Sequence, residues 1–397
     1  MMFFTDLMAL AGSMSTGRRH HHSAMSLTTF ESHLSETITW LLNSIRFSKD
    51  GSGSAQSYRL FRGWSKSFPE TTGYIIPTLF DYSKLTRLEN AELRSTATNL
   101  GRWLILIQLE NGACMSGLYT SHPKPSLFNT GQNLLGYVRL YEETKEDDFL
   151  RAARRSADFI LSCQDDTGAY VRHTYNDIAA CYNVRTAWAT LKLGLELKNE
   201  KYIEGALRNV RWTLGKQQPN GWFSSNSFSV KKNPNTHSIA YVLEGLIESY
   251  ALVPDEQVLS AVVKTAGGIL SRYESRGWIS GEHDGNFDYL GSYTCITGNI
   301  QMAGVWLKLY SILNDPRYLE AATGMISGYL HYHDITTKNP GLRGGVHGSL
   351  PHWGRYAPLK YPNWAAKFLC DTLMQLIVLL KASTFRQKDS STGPSVE

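Results

Sequence analysis

Cysteine is scarce. The 397 residues hold five, Cys114, Cys163, Cys181, Cys295 and Cys370, scattered, odd in number and without a CxxC pair. That excludes a disulfide framework and a cysteine-based zinc cluster, and a reduced, cytoplasmic chain is the simplest reading. Long basic runs are also missing, since no more than two Lys or Arg stand together. Nucleic acid is therefore unsupported as a partner, while the modest balance of 40 Lys+Arg against 35 Asp+Glu favours an acidic ligand without requiring one. The apolar run from Met1 to Ala11 contains Asp6 and has no positive charge before it, so it fits neither a signal peptide nor a membrane span. Phosphate-cradling glycine loops, the dinucleotide fingerprint, metal-ligand motifs and the nucleophile elbow are absent, so the expected chemistry needs no cofactor and no metal. The three histidines His20 to His22 define no geometry on a flexible arm; residues 1–25 are read as a disordered leader or tag remnant, and 386–397 as a disordered tail.

What is present is a repeat. Phe30 to Phe47 carries apolar residues at helical spacing, and from Gly73 a two-helix unit recurs. The second helix of each unit opens on acids, as in Lys145-Glu-Asp-Asp-Phe and Leu313-Asn-Asp-Pro-Arg-Tyr, which suits the positive end of a helix dipole. Turns then follow that align as Gln108 to Gly112, Gln164 to Gly168, Gln218 to Gly221 and Glu274 to Gly277. Their glycines are spaced by 56, 53 and 56 residues. Such units cannot bury their apolar faces alone and must stack. Pair starts near Gly73, Thr130, Arg185, His237, Thr297 and Trp364 make six, with the Phe30 helix available to partner the last. The expectation is an all-α (α/α)6 toroid over residues 26–385, with the six helix starts facing one another at one mouth.

The Gln-x-x-x-Gly-aromatic turns, together with Pro69-Glu70-Thr71-Thr72-Gly73-Tyr74, Pro351-His352-Trp353-Gly354 and Tyr361-Pro362-Asn363-Trp364, look like α/α-toroid proteins of bacterial exopolysaccharide biosynthesis clusters. More distantly the chain resembles glucuronyl C5-epimerases, unsaturated glucuronyl hydrolases and toroid polysaccharide lyases. The resemblance covers roughly residues 30 to 382 and implies an oligosaccharide or polysaccharide partner. Isoprenoid cyclases share the fold class, but their Asp-x-Asp-Asp motif is absent, because Asp165-Asp166 leads into Thr167 in a repeat turn.

Glycan chemistry needs aromatic floors, hydroxyl partners and acids or bases. Trp64, Tyr74, Trp222 and Trp364 are candidate floors, although Trp222 also belongs to a repeated Gly-Trp turn that could simply plug a gap. Glu70, Asp177, Glu282 and Asp284 are the candidate acids for glycosidic cleavage, and each has an ordinary cap or solvated turn as its structural alternative. Arg172, His173 and Arg185 suit a carboxylate-bearing sugar. The loop from Gly281 to Tyr289 resembles a calcium loop only faintly and lacks its later glutamate. A Gly-rich flap with Arg343, His347, His352 and Arg355, joined by His237 and Tyr289, offers what proton abstraction beside a uronate would need. Hydrolysis leads, lyase or C5-epimerase chemistry is the alternative, and a glycan-binding protein without catalysis is the third reading.

Overall fold

The computed structural model describes residues 5–9, 25–86, 91–230 and 232–391, with side chains to residue 383. Among the described residues twelve long helices alternate between two concentric rings. The inner ring is α2 (Pro69–Leu85), α4 (Leu127–Thr144), α6 (Val184–Leu197), α8 (Thr236–Leu252), α10 (Ile296–Leu313) and α12 (Asn363–Ser391). Outside lie α3 (Ala91–Leu106), α5 (Asp147–Ser162), α7 (Glu200–Leu214), α9 (Glu256–Arg276) and α11 (Pro316–Leu330), with α1 (Leu27–Arg46) packed on α12. Every inner helix touches the next, and α12 returns to α2, so the ring is closed. The expected toroid of six hairpins is the observed fold.

The sequence separates the rings by burial. In α5 the buried residues fall mainly on one stripe, Phe149, Ala152, Ala153, Ser156, Ala157 and Ile160, with Phe159 beside it, as an outer helix requires. In α4 every residue from Leu127 to Val138 is buried, because it is walled on all sides. Inner helices approach closely at small residues: a Cβ on Gly73 would stand 2.4 Å from Asn133 Oδ1, and one on Gly298 would stand 2.5 Å from the His237 backbone nitrogen. Links from inner to outer helix are tight, ending α4, α6 and α10 on left-handed Lys145, Lys198 and Asn314. Asn199 and Asp315 then cap α7 and α11 by accepting from backbone N–H groups.

The repeated turn has a mechanical role. Gln108 Nε2 donates to Gly112 O at 3.0 Å and to Ala152 O of the next outer helix at 3.0 Å. Gln164 makes the same bridge to Gly168 and Gly205. In the third turn the bridging residue is Gln217, to Gly221 and Ala261, so the alignment on Gln218 was one residue late.

Short strands dress the mouth formed by the inner-helix N-termini. β1 (Ser57–Arg59) lies between β2 (Gly63–Trp64) and β7 (Lys360–Pro362), tying the segment before α2 to the segment before α12. β3 (Cys114–Met115) pairs with β4 (Pro125–Ser126), and β5 (Thr294–Cys295) pairs with β6 (Ser349–Leu350), anchoring the flap to the start of α10. Residues 5–9 depart from the expected disordered leader. They are helical, and buried Asp6 accepts from Phe61 N at 2.8 Å and Tyr58 Oη at 3.2 Å. Residues 10–24 and 392–397 lie outside the described residues, while α12 continues through Ser391 into the segment expected as a tail. All five cysteines are free and buried, and no described helix is long and apolar enough to cross a membrane.

Candidate active site

A chain of aromatic side chains runs round the front mouth. Phe68 lies 6.1 Å from Trp364, whose indole N–H donates to Tyr356 Oη at 2.8 Å. Tyr356 stands edge-on to His237 at 5.4 Å, and His237 lies 4.1 Å from Tyr241. Tyr241 packs on Phe128 at 5.1 Å, Phe128 on Tyr182 at 5.6 Å and Tyr182 on Phe228 at 4.8 Å. All six inner helices or the residues just before them contribute to this mouth or its floor. Planar rings around a polar centre suit the C–H faces of sugars.

Glu70 sits in the first turn of α2. Burial pushes its carboxyl up to about 8, against the pull of Arg185. Its charge in turn bears on Tyr74, Tyr182 and Tyr241 and on the Cys114 thiol, which places it over the tyrosine floor. Among the described residues burial and the charge of Arg185 are what act on it. Yet part of its surface remains accessible. At neutral pH the carboxyl is mainly protonated and can give a proton.

Beneath it a polar network spans the ring. Arg185 Nε donates to Gln132 Oε1 at 2.8 Å, and its guanidinium pairs with Glu244. The same guanidinium lies over Tyr241 at 5.2 Å, Trp188 and Phe368 at 5.4 Å and Tyr74 at 5.7 Å. Gln301 Nε2 donates to Glu244 Oε1 at 3.0 Å, leaving its Oε1 to His237 Nδ1. A carboxylate only accepts, so Glu244 fixes the Gln301 amide, and the amide oxygen fixes a proton on His237 Nδ1. Burial holds the His237 imidazole down at about 3, hence neutral, with a lone pair at Nε2. A protonated acid and an oriented neutral imidazole thus both neighbour Tyr241.

The structure gathers only part of the expected set there. Glu70, His237, Tyr74 and Trp364 stand at or just inside the inner-helix starts, in or beside the aromatic circuit. Arg185 is 3% exposed and already neutralised by Glu244, so it organises the floor rather than meeting a sugar carboxylate directly. Glu282 accepts from Tyr293 Oη at 2.9 Å and lies 3.8 Å from Arg355. Tyr293 and Arg355 bring that acid to the flap beside Tyr356. Asp284 accepts from Asn286 N and Asp288 N, each at 2.9 Å, and is a turn cap. Tyr289 donates to Trp278 O and packs on Trp278 and Arg276, away from the aromatic circuit. Arg172, His173 and Asp177 are exposed; His173 packs at a tilt on Phe159 of α5. Trp222 is buried against Phe287 and plugs neighbouring turns, while Trp64 packs on Trp40 of α1. Arg343 pairs with Glu36 of α1 at 2.6 Å. His347 and His352 lie 4.1 Å apart, buried beside Tyr361. The flap thus folds with two of its basic groups inward and Arg343 outward, which a loop sequence does not disclose.

Tyr241, Glu244 and Gln301 were not among the expected residues, whereas Phe128, Gln132 and Tyr182 belong to the inner-helix starts expected at the mouth. One signal was available: these positions lie at helix starts or one to two turns beyond them, where inner helices keep polar residues inside otherwise fully buried runs.

No family model matches the chain, and no curated protein matches. Solved structures do. A heparin-specific unsaturated glucuronyl hydrolase aligns with TM-score 0.69 at 14% identity, over 90% of this chain and 99% of that one. A cellobiose 2-epimerase from Spirochaeta thermophila gives 0.69 at 13%, over 89% and 97%. A family 76 glycoside hydrolase from a bovine Bacteroides thetaiotaomicron strain gives 0.63 at 14%, over 89% and 78%. These likenesses establish the fold. The expected resemblance to unsaturated glucuronyl hydrolases is met at that level.

Proposed function

We propose that this chain is a carbohydrate-active enzyme that takes an oligosaccharide at the mouth formed by the inner-helix starts and cleaves a glycosidic bond by acid/base chemistry. The observation that carries the reading is Glu70, a carboxyl raised by burial to about 8 beside an aromatic mouth. Glu70 gives its proton to the leaving glycosidic oxygen as the C–O bond breaks. Water adds to the anomeric carbon and passes its proton to His237 Nε2. Raised acids in apolar surroundings are the means by which glycosidases donate protons near neutrality. Structural kinship with hydrolases named for glucuronyl substrates and glycosides supports the substrate class. An acidic surface polysaccharide handled in the cytoplasm is the context proposed, with exposed Arg355 beside Glu282 as a cation at the flap.

A second reading, proton exchange at a sugar carbon, is favoured by the fixed tautomer of His237 and by the likeness to cellobiose 2-epimerases. Proton NMR in D2O with a panel of neutral and acidic oligosaccharides separates the two. New reducing-end anomeric signals support cleavage. Deuterium incorporation at a ring carbon without cleavage supports epimerisation, and a vinylic H4 signal supports elimination. Line broadening without chemistry would replace the enzyme with a binding protein, and no response to any saccharide would overturn the proposal.

A further inference from the structure

The aromatic circuit of the mouth continues outward. From His237 it passes through Tyr241, Phe128 and Tyr182, all buried, to half-buried Phe228. Tyr175 then stands edge-on to Phe228 at 5.9 Å and is 60% exposed. A run of ring contacts thus leads from the oriented imidazole to an aromatic ring open to solvent.

The segment that presents this ring, residues 171–178 between α5 and α6, is tied down on two sides. Leu127 N at the start of α4 donates to His173 O at 2.8 Å, and Asn176 Nδ2 donates to Phe228 O at 2.8 Å. Thr174, between these ties in sequence, is buried. His173, Asn176 and Asp177 all take left-handed backbone, with φ of 56°, 55° and 54°. That conformation is costly for any residue with a Cβ, and least so for Asn, Asp and His. Strain of this kind persists where surrounding contacts over-determine it, and it clusters at ligand sites.

An exposed tyrosine alone is ordinary. Two things distinguish Tyr175: its ring is continuous with the mouth, and Arg172 stands three residues before it in the same bend. Arg172 is exposed and, among the described residues, forms no ion pair, although Asp177 belongs to the same segment. Neighbouring His173 turns the other way and packs on Phe159 of α5. Packing therefore accounts for His173 and Thr174, and leaves the Arg172 guanidinium and the Tyr175 ring to solvent.

We infer that Tyr175 and Arg172 form an outer subsite, which receives a further sugar unit of the oligosaccharide held at the mouth and selects one bearing an oxyanion, carboxylate or sulfate. The Tyr175 ring meets a C–H face of that sugar, and the Arg172 guanidinium donates to the oxyanion with its forked N–H groups. The inference rests on the reading of the mouth as a saccharide site, and adds to it a preference for chain length and for negative charge.

Isothermal titration calorimetry tests the subsite, with Glu70→Gln as the parent so that cleavage does not consume the probes. The probes are oligogalacturonide and chondroitin sulfate fragments of two and four sugars, carboxyl-reduced forms of both tetrasaccharides, a desulfated form of the second, and neutral cellotetraose. Adding Tyr175→Ala should weaken an acidic tetrasaccharide about fivefold to tenfold and its disaccharide by less than about twofold, while Tyr175→Phe keeps the parent affinity. Adding Arg172→Ala should weaken the acidic tetrasaccharide about tenfold and spare its neutral form, whereas Arg102→Ala, an exposed cation of α3, should do neither. An Arg172 effect lost on carboxyl reduction assigns carboxylate as the anion, and one lost on desulfation assigns sulfate. Indifference to Tyr175→Ala, equal losses on both lengths, an Arg172→Ala effect no larger than that of Arg102→Ala, or binding of cellotetraose alone would overturn the outer subsite and leave the mouth standing. Failure of every probe to bind the parent would overturn the reading of the mouth and the subsite with it. Both side chains are exposed, so the variants should melt as the parent does, and melting temperatures guard against a loss due to unfolding.

Discussion

Replacing Glu70 by Gln should stabilise the protein at neutral pH. In the unfolded chain this carboxyl titrates near 4.5, and in the folded ring burial raises it to about 8. A raised folded value means that the folded state holds the proton more tightly. Stability from the neutral acid is therefore full below pH 4.5 and is lost as pH climbs through the window from 4.5 to 8. At pH 7 about 2.5 pH units of that window have passed, and at about 1.4 kcal/mol per unit the cost is roughly 3 kcal/mol. That figure is an upper value, because Glu70 keeps some contact with solvent. Glutamine keeps the shape and carries no titratable proton, so Glu70→Gln escapes the cost. Urea unfolding followed by tryptophan fluorescence should show the two proteins converging near pH 4.5 and the variant gaining up to about 3 kcal/mol by pH 7. A difference that stays constant from pH 4.5 to 8, or grows in the other direction, would refute the buried neutral acid.

Three further outcomes follow from the same structure. Acid should unfold the ring: burial lowers His237, His283, His333 and His352 to about 3 to 4, so their stability is present above pH 6.5 and drains as pH falls. Together they should cost on the order of 8 kcal/mol by pH 5, more than Glu70 returns, and a melting temperature flat from pH 7 to 5 would contradict this. Glu244→Leu strands the buried Arg185 charge and frees the Gln301 amide, and should cost about 3 to 5 kcal/mol in equilibrium unfolding. Gly298→Ala drives a methyl into the His237 backbone, and should lower turnover and melting temperature together, whereas Gly51→Ala alters an open loop and should spare turnover.

The architecture was readable because it repeats. A glycine that must take positive φ ends each of the first three aligned turns, at Gly112, Gly168 and Gly221, and acids open the outer helices, so the period declared itself. Half the site was readable for the same reason, since Glu70, His237 and Trp364 stand at helix starts that the repeat count brings to one mouth. The remainder depended on facts no spacing contains. Glu244 and Gln301 are ordinary helix residues until the ring closes and makes their faces the lumen. Arg343, His347 and His352 share one loop, yet the β5–β6 and β1–β7 pairings turn that loop so that Arg343 meets Glu36 outside while the histidines pack inside. Tyr289 lost its expected place because its hydroxyl is taken by Trp278 O.

The account rests on Glu70 as the proton donor, and the direct test is turnover. With the oligosaccharide identified by the D2O panel, wild type and Glu70→Gln should be followed side by side by proton NMR, with kcat and KM separated. The expected result is a fall in kcat of about 10²- to 10⁴-fold with KM changed only a few-fold, since the aromatic mouth still holds the sugar. Turnover of Glu70→Gln within tenfold of wild type would contradict the central claim.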